Sequence, residues 1–281
     1  LDVRGGDRWL CCLPVHHVAG LAILARGWTT GVPVTVLDGF DVDAVRLALG
    51  SGVTFVSLVP TTLARLLDAD VDLTRLRSTL IGAAPLPEAL HDRALKAGAP
   101  VVTTYGLTET WGGIVHDGHP LDGVTVSLGD QDEILVRGPM VISGYRRDSV
   151  GTRAAFTADG CLLTGDVGAI DASGNVSVID RLRDLIVTGG VNVSPTEVER
   201  VLAAHPDIAD VCVTGVPDDE WGELVVAFVV PRDHDRPPAL DDIRSYALER
   251  LSAAKAPRQV VCVAVIPRTA GGKPLRRLLK Q

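Results

Sequence analysis

The segment from Tyr105 to Thr110, of sequence YGLTET, follows an apolar run and combines an aromatic ring, hydroxyls and a carboxylate. A tyrosine can stack on a base, the hydroxyl of Thr108 can hold a phosphate oxygen, and Glu109 can bind Mg²⁺. Ligands of parallel sheets bind at the carboxyl ends of the strands. The segment is therefore a candidate nucleotide site, although such a turn taken alone is more often an ordinary strand exit.

Two further turns add groups that suit a nucleotide. The small residues from Gly82 to Leu86 (GAAPL) follow a predicted strand and would let a planar ring approach the backbone closely. Thr164-Gly165-Asp166 places a carboxylate after a predicted tight turn, where it can accept both hydroxyls of a ribose. The ordinary alternative for the first segment is a simple strand-to-helix turn.

Cationic groups come later in the chain. Arg181 and Arg183 stand just before the pair Gly189-Gly190, and surface salt bridges of little energetic value are their simplest explanation. Lys273 lies in the glycine-rich turn Gly271-Gly272-Lys273-Pro274, where its ammonium can neutralise charge between a carboxylate and an α-phosphate. A solvated lysine is the alternative there.

The elements that must position these groups alternate in type over the first part of the chain. Strands at 53–59, 79–81 and 101–105 alternate with helices at 60–68 and 87–97, and this rhythm predicts parallel βαβ units. Between 133 and 178, short glycine-punctuated strands indicate a twisted antiparallel sheet or small barrel that completes the first domain.

A second, α+β unit is predicted from about Asp184. It has a strand at 185–187, a turn at Gly189-Gly190, and a helix that Ser194 and Glu197 would open with a capping box. Strands at 211–216, 224–230 and 260–265 and a helix at 240–251 follow. The fold class is therefore α/β, with a large N-terminal domain over 1–182 and a smaller C-terminal domain over 183–281.

Composition excludes several classes of protein. A net charge of −8 and a pI near 5.3 argue against general binding to nucleic acid or to anionic membranes. No apolar run is long enough to span a membrane, and the start lacks the plan of a signal peptide. Five cysteines without CxxC spacing indicate reduced core thiols and a cytoplasmic protein.

Together the motifs resemble the acyl-adenylate-forming (AMP-binding) enzymes, and the resemblance covers the whole chain. It implies ATP, Mg²⁺ and coenzyme A as ligands, a mobile C-terminal lid, and a hinge at Arg183. It implies catalytic roles for His17, Thr108, Glu109 and Lys273, with Glu109 as the metal ligand. The implied nucleotide-site and cofactor-site residues are Gly82, Ala83, Ala84, Pro85, Thr104, Tyr105, Gly106, Thr108, Asp166, Arg181, Gly189 and Gly190.

The segment LPVHHVAG, from Leu13 to Gly20, is similar to the family's Leu-Pro-x-Phe-His-x-x-Gly motif and places His17 at the border of an acyl pocket. Nine residues later, Arg26 interrupts an apolar helical stretch. Burying an unpaired guanidinium there would be costly, and a snorkelling surface arginine is the alternative.

These residues, with the segment from His116 to Gly123, resemble the o-succinylbenzoate-CoA ligases of menaquinone biosynthesis. That resemblance implies a small-molecule acid whose second carboxylate would contact Arg26. A fatty, aryl or other dicarboxylic acid remains an alternative substrate. A non-catalytic nucleotide-binding protein is a third interpretation of the sequence. The oligomeric state stays open, and a homodimer is one candidate.

One family element is not found. A Ser/Thr/Gly-rich phosphate loop ending in Pro-Lys-Gly is expected a few tens of residues before Leu13-Pro14. The chain begins at Leu1, and we expect that an N-terminal part of the natural protein precedes it.

Overall fold

The computed structural model describes residues 2–268 and 274–279. The chain divides into two compact units. Unit 1 comprises Leu1–Ser127, Leu135–Thr164 and Ile170–Ser177, and unit 2 comprises Leu128–Ile134, Gly165–Ala169 and Val178–Gln281. Across the described residues, no helix combines the length and the apolar character that crossing a membrane would need.

A seven-stranded sheet forms the centre of unit 1, in the order β2-β1-β3-β4-β5-β6-β7. The first five of these strands are paired in parallel, as the alternating sequence pattern predicted, and β6 and β7 are antiparallel to their neighbours. Their bounds are Trp9–Cys11 (β1), Val34–Val36 (β2), Phe55–Leu58 (β3), Ser78–Ile81 (β4), Val101–Leu107 (β5), Gly112–His116 (β6) and His119–Pro120 (β7).

Four helices connect these strands: Val18–Thr30 (α1), Val42–Gly50 (α2), Pro60–Asp68 (α3) and Glu88–Lys96 (α4). The helix predicted at 60–68 is confirmed, and Pro60 stands at its start, where its missing N–H costs no hydrogen bond. The other elements predicted here differ from the observed bounds by at most two residues at each end.

The side chains of β1 alternate between two apolar layers. Trp9 and Cys11 pack with Ile23 of α1 and with Phe55, whose ring stacks on Trp9 at 5.0 Å, while Leu10 belongs to the cluster on the other face. A strand that is buried on both faces consists of consecutive apolar residues. Apolar and polar residues therefore do not alternate along β1.

Four more strands form a second sheet in the order β11-β10-β9-β8, so that each strand neighbours the next in sequence. They are Thr125–Leu128 (β8), Glu133–Arg137 (β9), Leu162–Ile170 (β10) and Val176–Arg181 (β11), and the short helix α5 (Ser149–Ala154) precedes β10. The glycine-punctuated pattern predicted such a sheet.

Unit 2 contains a five-stranded sheet, β13-β12-β15-β14, with β16 parallel to β15. Its later elements are Ile186–Thr188 (β12), Val191–Val193 (β13), Pro195–Leu202 (α6), Ile208–Asp218 (β14), Gly222–Pro231 (β15), Leu240–Leu248 (α7) and Gln259–Cys262 (β16). Residues of both helices, including Val198 and Ile243, are buried in one cluster with the sheet.

The predicted capping box at the start of α6 is only half formed. Ser194 Oγ accepts the Glu197 N–H at 3.1 Å, but the Glu197 carboxylate pairs with Lys255 at 2.7 Å. The prediction of core thiols also needs correction, because Cys262 is exposed and Cys161 is half-buried. Neither position could be recognised from an apolar run alone.

Candidate functional site

The turn after β5 leaves its two predicted ligands accessible. Residues Thr108–Thr110 form one 3₁₀ turn, in which buried Thr110 accepts the Leu107 N–H at 2.8 Å and donates to the Gly112 carbonyl at 2.8 Å. Because Thr110 closes the turn, Thr108 is exposed and Glu109 half-buried. The arrangement suits a hydroxyl and a carboxylate that must reach a ligand.

Gly106 has a packing role besides the predicted ligand role. A Cβ at this position would collide with the Gly112 carbonyl on β6, and the pairing of the two strands shifts register between Tyr105 and Gly106. Only a residue without a side chain lets β6 come this close. The glycine therefore shapes the strand exit.

The structure brings the first two predicted nucleotide segments together. Gly82 follows β4, and a Cβ there would lie 2.6 Å from Thr104 Oγ1 on β5. Ala83, Ala84 and Pro85 are exposed beyond it. Small exposed residues beside the end of β5 would leave room for a flat ring, and their role in binding a base stays a prediction.

The predicted histidine lies just before α1, and the predicted arginine lies within that helix. His17 is exposed and precedes the first residue of the helix, in a turn so tight that a Cβ at Gly20 would lie 2.5 Å from the Pro14 carbonyl oxygen. Arg26 is nine residues later, which is roughly 13 Å along a helix axis. The two side chains would therefore contact different groups of a substrate.

Arg26 is a half-buried cation whose charge is little compensated by neighbouring groups. Its guanidinium lies 5.7 Å from the centre of the Trp9 ring, and a Cβ at Gly112 would lie 4.0 Å from its Nη2. Burial lowers the pKa of Arg26, and no carboxylate opposes that effect. Within residues 2–268 and 274–279, no ion pair of this guanidinium is found. A snorkelling surface arginine does not fit this environment.

His116 was not among the predicted site residues. Its Nε2 is shielded from solvent and has no hydrogen-bond partner in the described part of the chain, and a Cβ at Gly113 would lie 3.4 Å from it. Burial and the charge of Arg26 lower the pKa of His116, so the imidazole is neutral at pH 7. An unpaired buried nitrogen near a half-buried cation is a second polar group available to a ligand.

Unit 2 contains the predicted ribose carboxylate and its neighbouring arginine. Asp166 Oδ1 accepts Arg181 Nε at 2.8 Å, and the Asp166 side chain is only 4% exposed. The ion pair is therefore not one of the weak surface pairs that the sequence left as an alternative. The predicted tight turn is wrong, because Thr164-Gly165-Asp166 lies inside β10, where Gly165 has a φ of 67° and donates to Glu133.

The glycine pair of unit 2 forms the predicted turn, between β12 and β13. Gly189 is held by a hydrogen bond from its N–H to the Trp221 carbonyl at 2.9 Å, whereas a Cβ at Gly190 would meet nothing within 4 Å. Arg183 has a side chain that is 80% exposed, and its role as a hinge remains a prediction. Lys273 lies outside the described residues.

The residues present fit a magnesium ion that is held mainly by phosphates. Among the residues that the structure describes, no cluster of three or more His, Cys, Asp or Glu side chains could hold a metal by itself. Mg²⁺ commonly takes one or two carboxylates and completes its octahedron with waters and phosphate oxygens. A single accessible carboxylate at Glu109 matches that pattern.

Two family models match the chain. The AMP-binding enzyme model matches residues 1–146, and the AMP-binding enzyme C-terminal domain model matches residues 197–273. The chain is 35% identical to a 2-succinylbenzoate--CoA ligase of Bacillus cereus (strain Q1) over 100% of its own length and 63% of that protein. It is 40% identical to a probable 2-succinylbenzoate--CoA ligase of Mycobacterium tuberculosis over 98% of its length and 74% of that protein.

Solved structures give the same result. The o-succinylbenzoate CoA synthetase of Bacillus subtilis, in complex with the acyl-adenylate intermediate OSB-AMP, superposes with a TM-score of 0.90 at 33% identity. The alignment covers 100% of this chain and 62% of that one, so the chain spans less than two thirds of several relatives. The match of more than half the chain to one family model, and the 40% identity to a relative covered over 74% of its length, show that this chain belongs to the AMP-binding enzyme family.

Proposed function

We propose that this chain acts in an ATP-dependent acid-thiol ligase that converts o-succinylbenzoate to its CoA thioester through an acyl-adenylate. Relatives named as 2-succinylbenzoate--CoA ligases support the reaction class. The observation that carries the choice of acid is Arg26, a half-buried cation without a carboxylate partner in the described residues. An aromatic acid with a second carboxylate would supply that partner.

The exits of β4 and β5 support the nucleotide part of the proposal. Exposed Ala83 and Ala84 would face the base, the Thr108 hydroxyl would contact phosphate, and Glu109 would bind Mg²⁺. When bound, the metal would neutralise charge on the triphosphate. The free carboxylate of the succinyl chain would then attack the α-phosphorus, and pyrophosphate would leave.

The C-terminal part would serve both half-reactions. We infer domains over 1–182 and 183–281, with the second turning about Arg183. Lys273 would stabilise the charge of the first step, and the turn at Gly190 would border the path of CoA, whose thiolate displaces AMP. We place the reaction in the cytoplasm, where ATP and CoA are available.

A panel of acids tests the proposal. Pyrophosphate release and CoA thioester formation would be measured with o-succinylbenzoate, an analogue lacking the ring carboxylate, and a fatty acid. We expect o-succinylbenzoate to be preferred. AMP binding without pyrophosphate release from any acid would contradict the ligase and support a non-catalytic nucleotide-binding protein.

Separating the half-reactions tests Lys273. Lys273→Ala should lower adenylate formation by about 10²- to 10³-fold, because it removes a charge that acts mainly in the transition state. Thioester formation from a supplied acyl-adenylate should be unchanged. Equal loss in both half-reactions would show that the lysine has another role.

A further inference from the structure

Tyr145 contacts the carboxylate that we assign to magnesium. Its hydroxyl donates a hydrogen bond to Glu109 Oε1 at 2.8 Å, although the two residues are 36 positions apart in sequence. A phenol is protonated at neutral pH, so it can donate while the carboxylate accepts.

The segment that carries Tyr145 is fixed by its own hydrogen bonds. Ile142 N–H donates to the Glu109 carbonyl at 2.8 Å, and Tyr145 N–H donates to Thr152 Oγ1 at 2.9 Å. Asp148 accepts the Gly151 N–H at 2.7 Å and so caps α5. The phenol is thus delivered to the carboxylate by a backbone that is held at several points.

The geometry leaves one carboxylate oxygen for a metal. Tyr145 engages Oε1 of Glu109, and Oε2 has no hydrogen bond within the part of the chain that the structure describes. Residues that hydrogen-bond to a metal ligand without touching the metal fix the orientation of that ligand. Loss of such a residue typically weakens metal affinity or activity by about 10- to 100-fold. A carboxylate that is the main protein ligand depends strongly on such a partner.

We propose that Tyr145 is a positioning residue that holds Glu109 so that its second oxygen binds the metal of Mg-ATP. This inference rests on the proposed function. If the hydrogen bond only joined two loops, its loss would change stability and leave metal affinity as it is.

The test measures metal binding directly. Mn²⁺, which prefers the same oxygen ligands as Mg²⁺, would be titrated by electron paramagnetic resonance into protein with a non-hydrolysable ATP analogue. Tyr145→Phe should weaken the Mn²⁺ affinity about tenfold or more. Tyr246→Phe is the matched control, because that ring belongs to the second unit, where it packs on His205 at 4.8 Å.

A double-variant comparison keeps the test valid if Tyr145→Phe also lowers the melting temperature. In a Glu109→Gln background, Tyr145→Phe should cause no further loss of Mn²⁺ affinity, because the tyrosine acts through the carboxylate. An equal loss in both backgrounds would overturn the inference, as would wild-type Mn²⁺ affinity in Tyr145→Phe. If wild-type protein shows no nucleotide-dependent Mn²⁺ binding, the proposed function itself is wrong and this role with it.

Discussion

Replacing Arg26 with methionine separates a substrate contact from a structural role. Methionine keeps an unbranched apolar side chain against Trp9 and removes only the guanidinium. In the free protein this guanidinium lies 5.7 Å from the Trp9 ring centre, with its pKa lowered by burial. Activity should therefore fall while the stability of the free protein does not.

The expected loss of activity follows from a desolvated charge pair. Removing one partner of such a pair costs about 2 to 5 kcal/mol. At about 1.4 kcal/mol for each factor of ten, this corresponds to a decrease of roughly 30- to 4,000-fold in kcat/KM for o-succinylbenzoate. The analogue without the ring carboxylate never forms the pair, so its kcat/KM should change little.

The stability of the free protein should not fall by a comparable amount. Arg26→Met loses a cation–π contact of about 0.5 to 2 kcal/mol but also removes a buried charge without a carboxylate partner among the described residues. We expect the melting temperature to stay the same or rise. Arg65→Met is the matched control, since the guanidinium of Arg65, on α3, lies 5.4 Å from the centre of the Phe40 ring.

Steady-state pyrophosphate release with both acids, together with thermal denaturation, decides the question. Equal losses for the two acids would remove Arg26 from recognition of the second carboxylate. A large fall in melting temperature with unchanged acid preference would give the arginine a purely structural role.

Three further predictions concern stability. Gly106→Ala should lower the free energy of unfolding by about 1 to 3 kcal/mol in chemical denaturation, because its Cβ collides with the Gly112 carbonyl. Arg276→Met should cost about 3 to 5 kcal/mol in the same assay, because it leaves Glu199 buried without the partner now 2.8 Å away. The pKa of His116 is lowered from 6.5, so the unfolded chain binds more protons and wild-type stability should fall below pH 6.5. His116→Phe should lose less stability over that range of pH.

Each of these changes has a control in the chain. Gly5→Ala is the control for Gly106→Ala, because its Cβ meets nothing within 4 Å. Arg75→Met is the control for Arg276→Met, because it removes an exposed charge. His119→Phe changes an exposed histidine paired with His116 across the β6–β7 turn. A control that loses as much as its test variant would contradict the corresponding explanation.

The sequence predicted most elements because local patterns and tertiary packing agree in this fold. Pro60 opens α3 where its fixed φ is favourable, and the small residues after β4 occur at a strand exit. The strand β10 was harder to predict, because Gly165 keeps a positive φ inside a strand while donating to Glu133, 32 residues away. Partners so distant in sequence leave no local signal.

The same limit applies to the candidate site. Thr108 and Glu109 could be proposed as ligands because both lie in one short segment. The hydroxyl of Tyr145 reaches Glu109 from another loop, and the Nε2 of His116 loses solvent only when β6 folds against its neighbours. Sequence spacing identifies functional groups that lie close together in the chain. The contacts that support those groups depend on the tertiary structure.

Backbone conformation gives independent support for where the site lies. Seven described residues other than glycine have a positive φ, and three of them, Asp70, Asp117 and Asp132, are of a type that tolerates it. Of the other four, Gln131 and Arg147 lie outside the predicted nucleotide segments, whereas Ala83 has a φ of 68° and Trp111 a φ of 56°. Ala83 lies within the predicted segment that follows β4, and Trp111 comes directly after the predicted segment that ends at Thr110. Strain of this kind persists where the surroundings enforce it and often marks functional sites. Two of these four residues therefore lie at the strand exits that the side-chain chemistry also indicates.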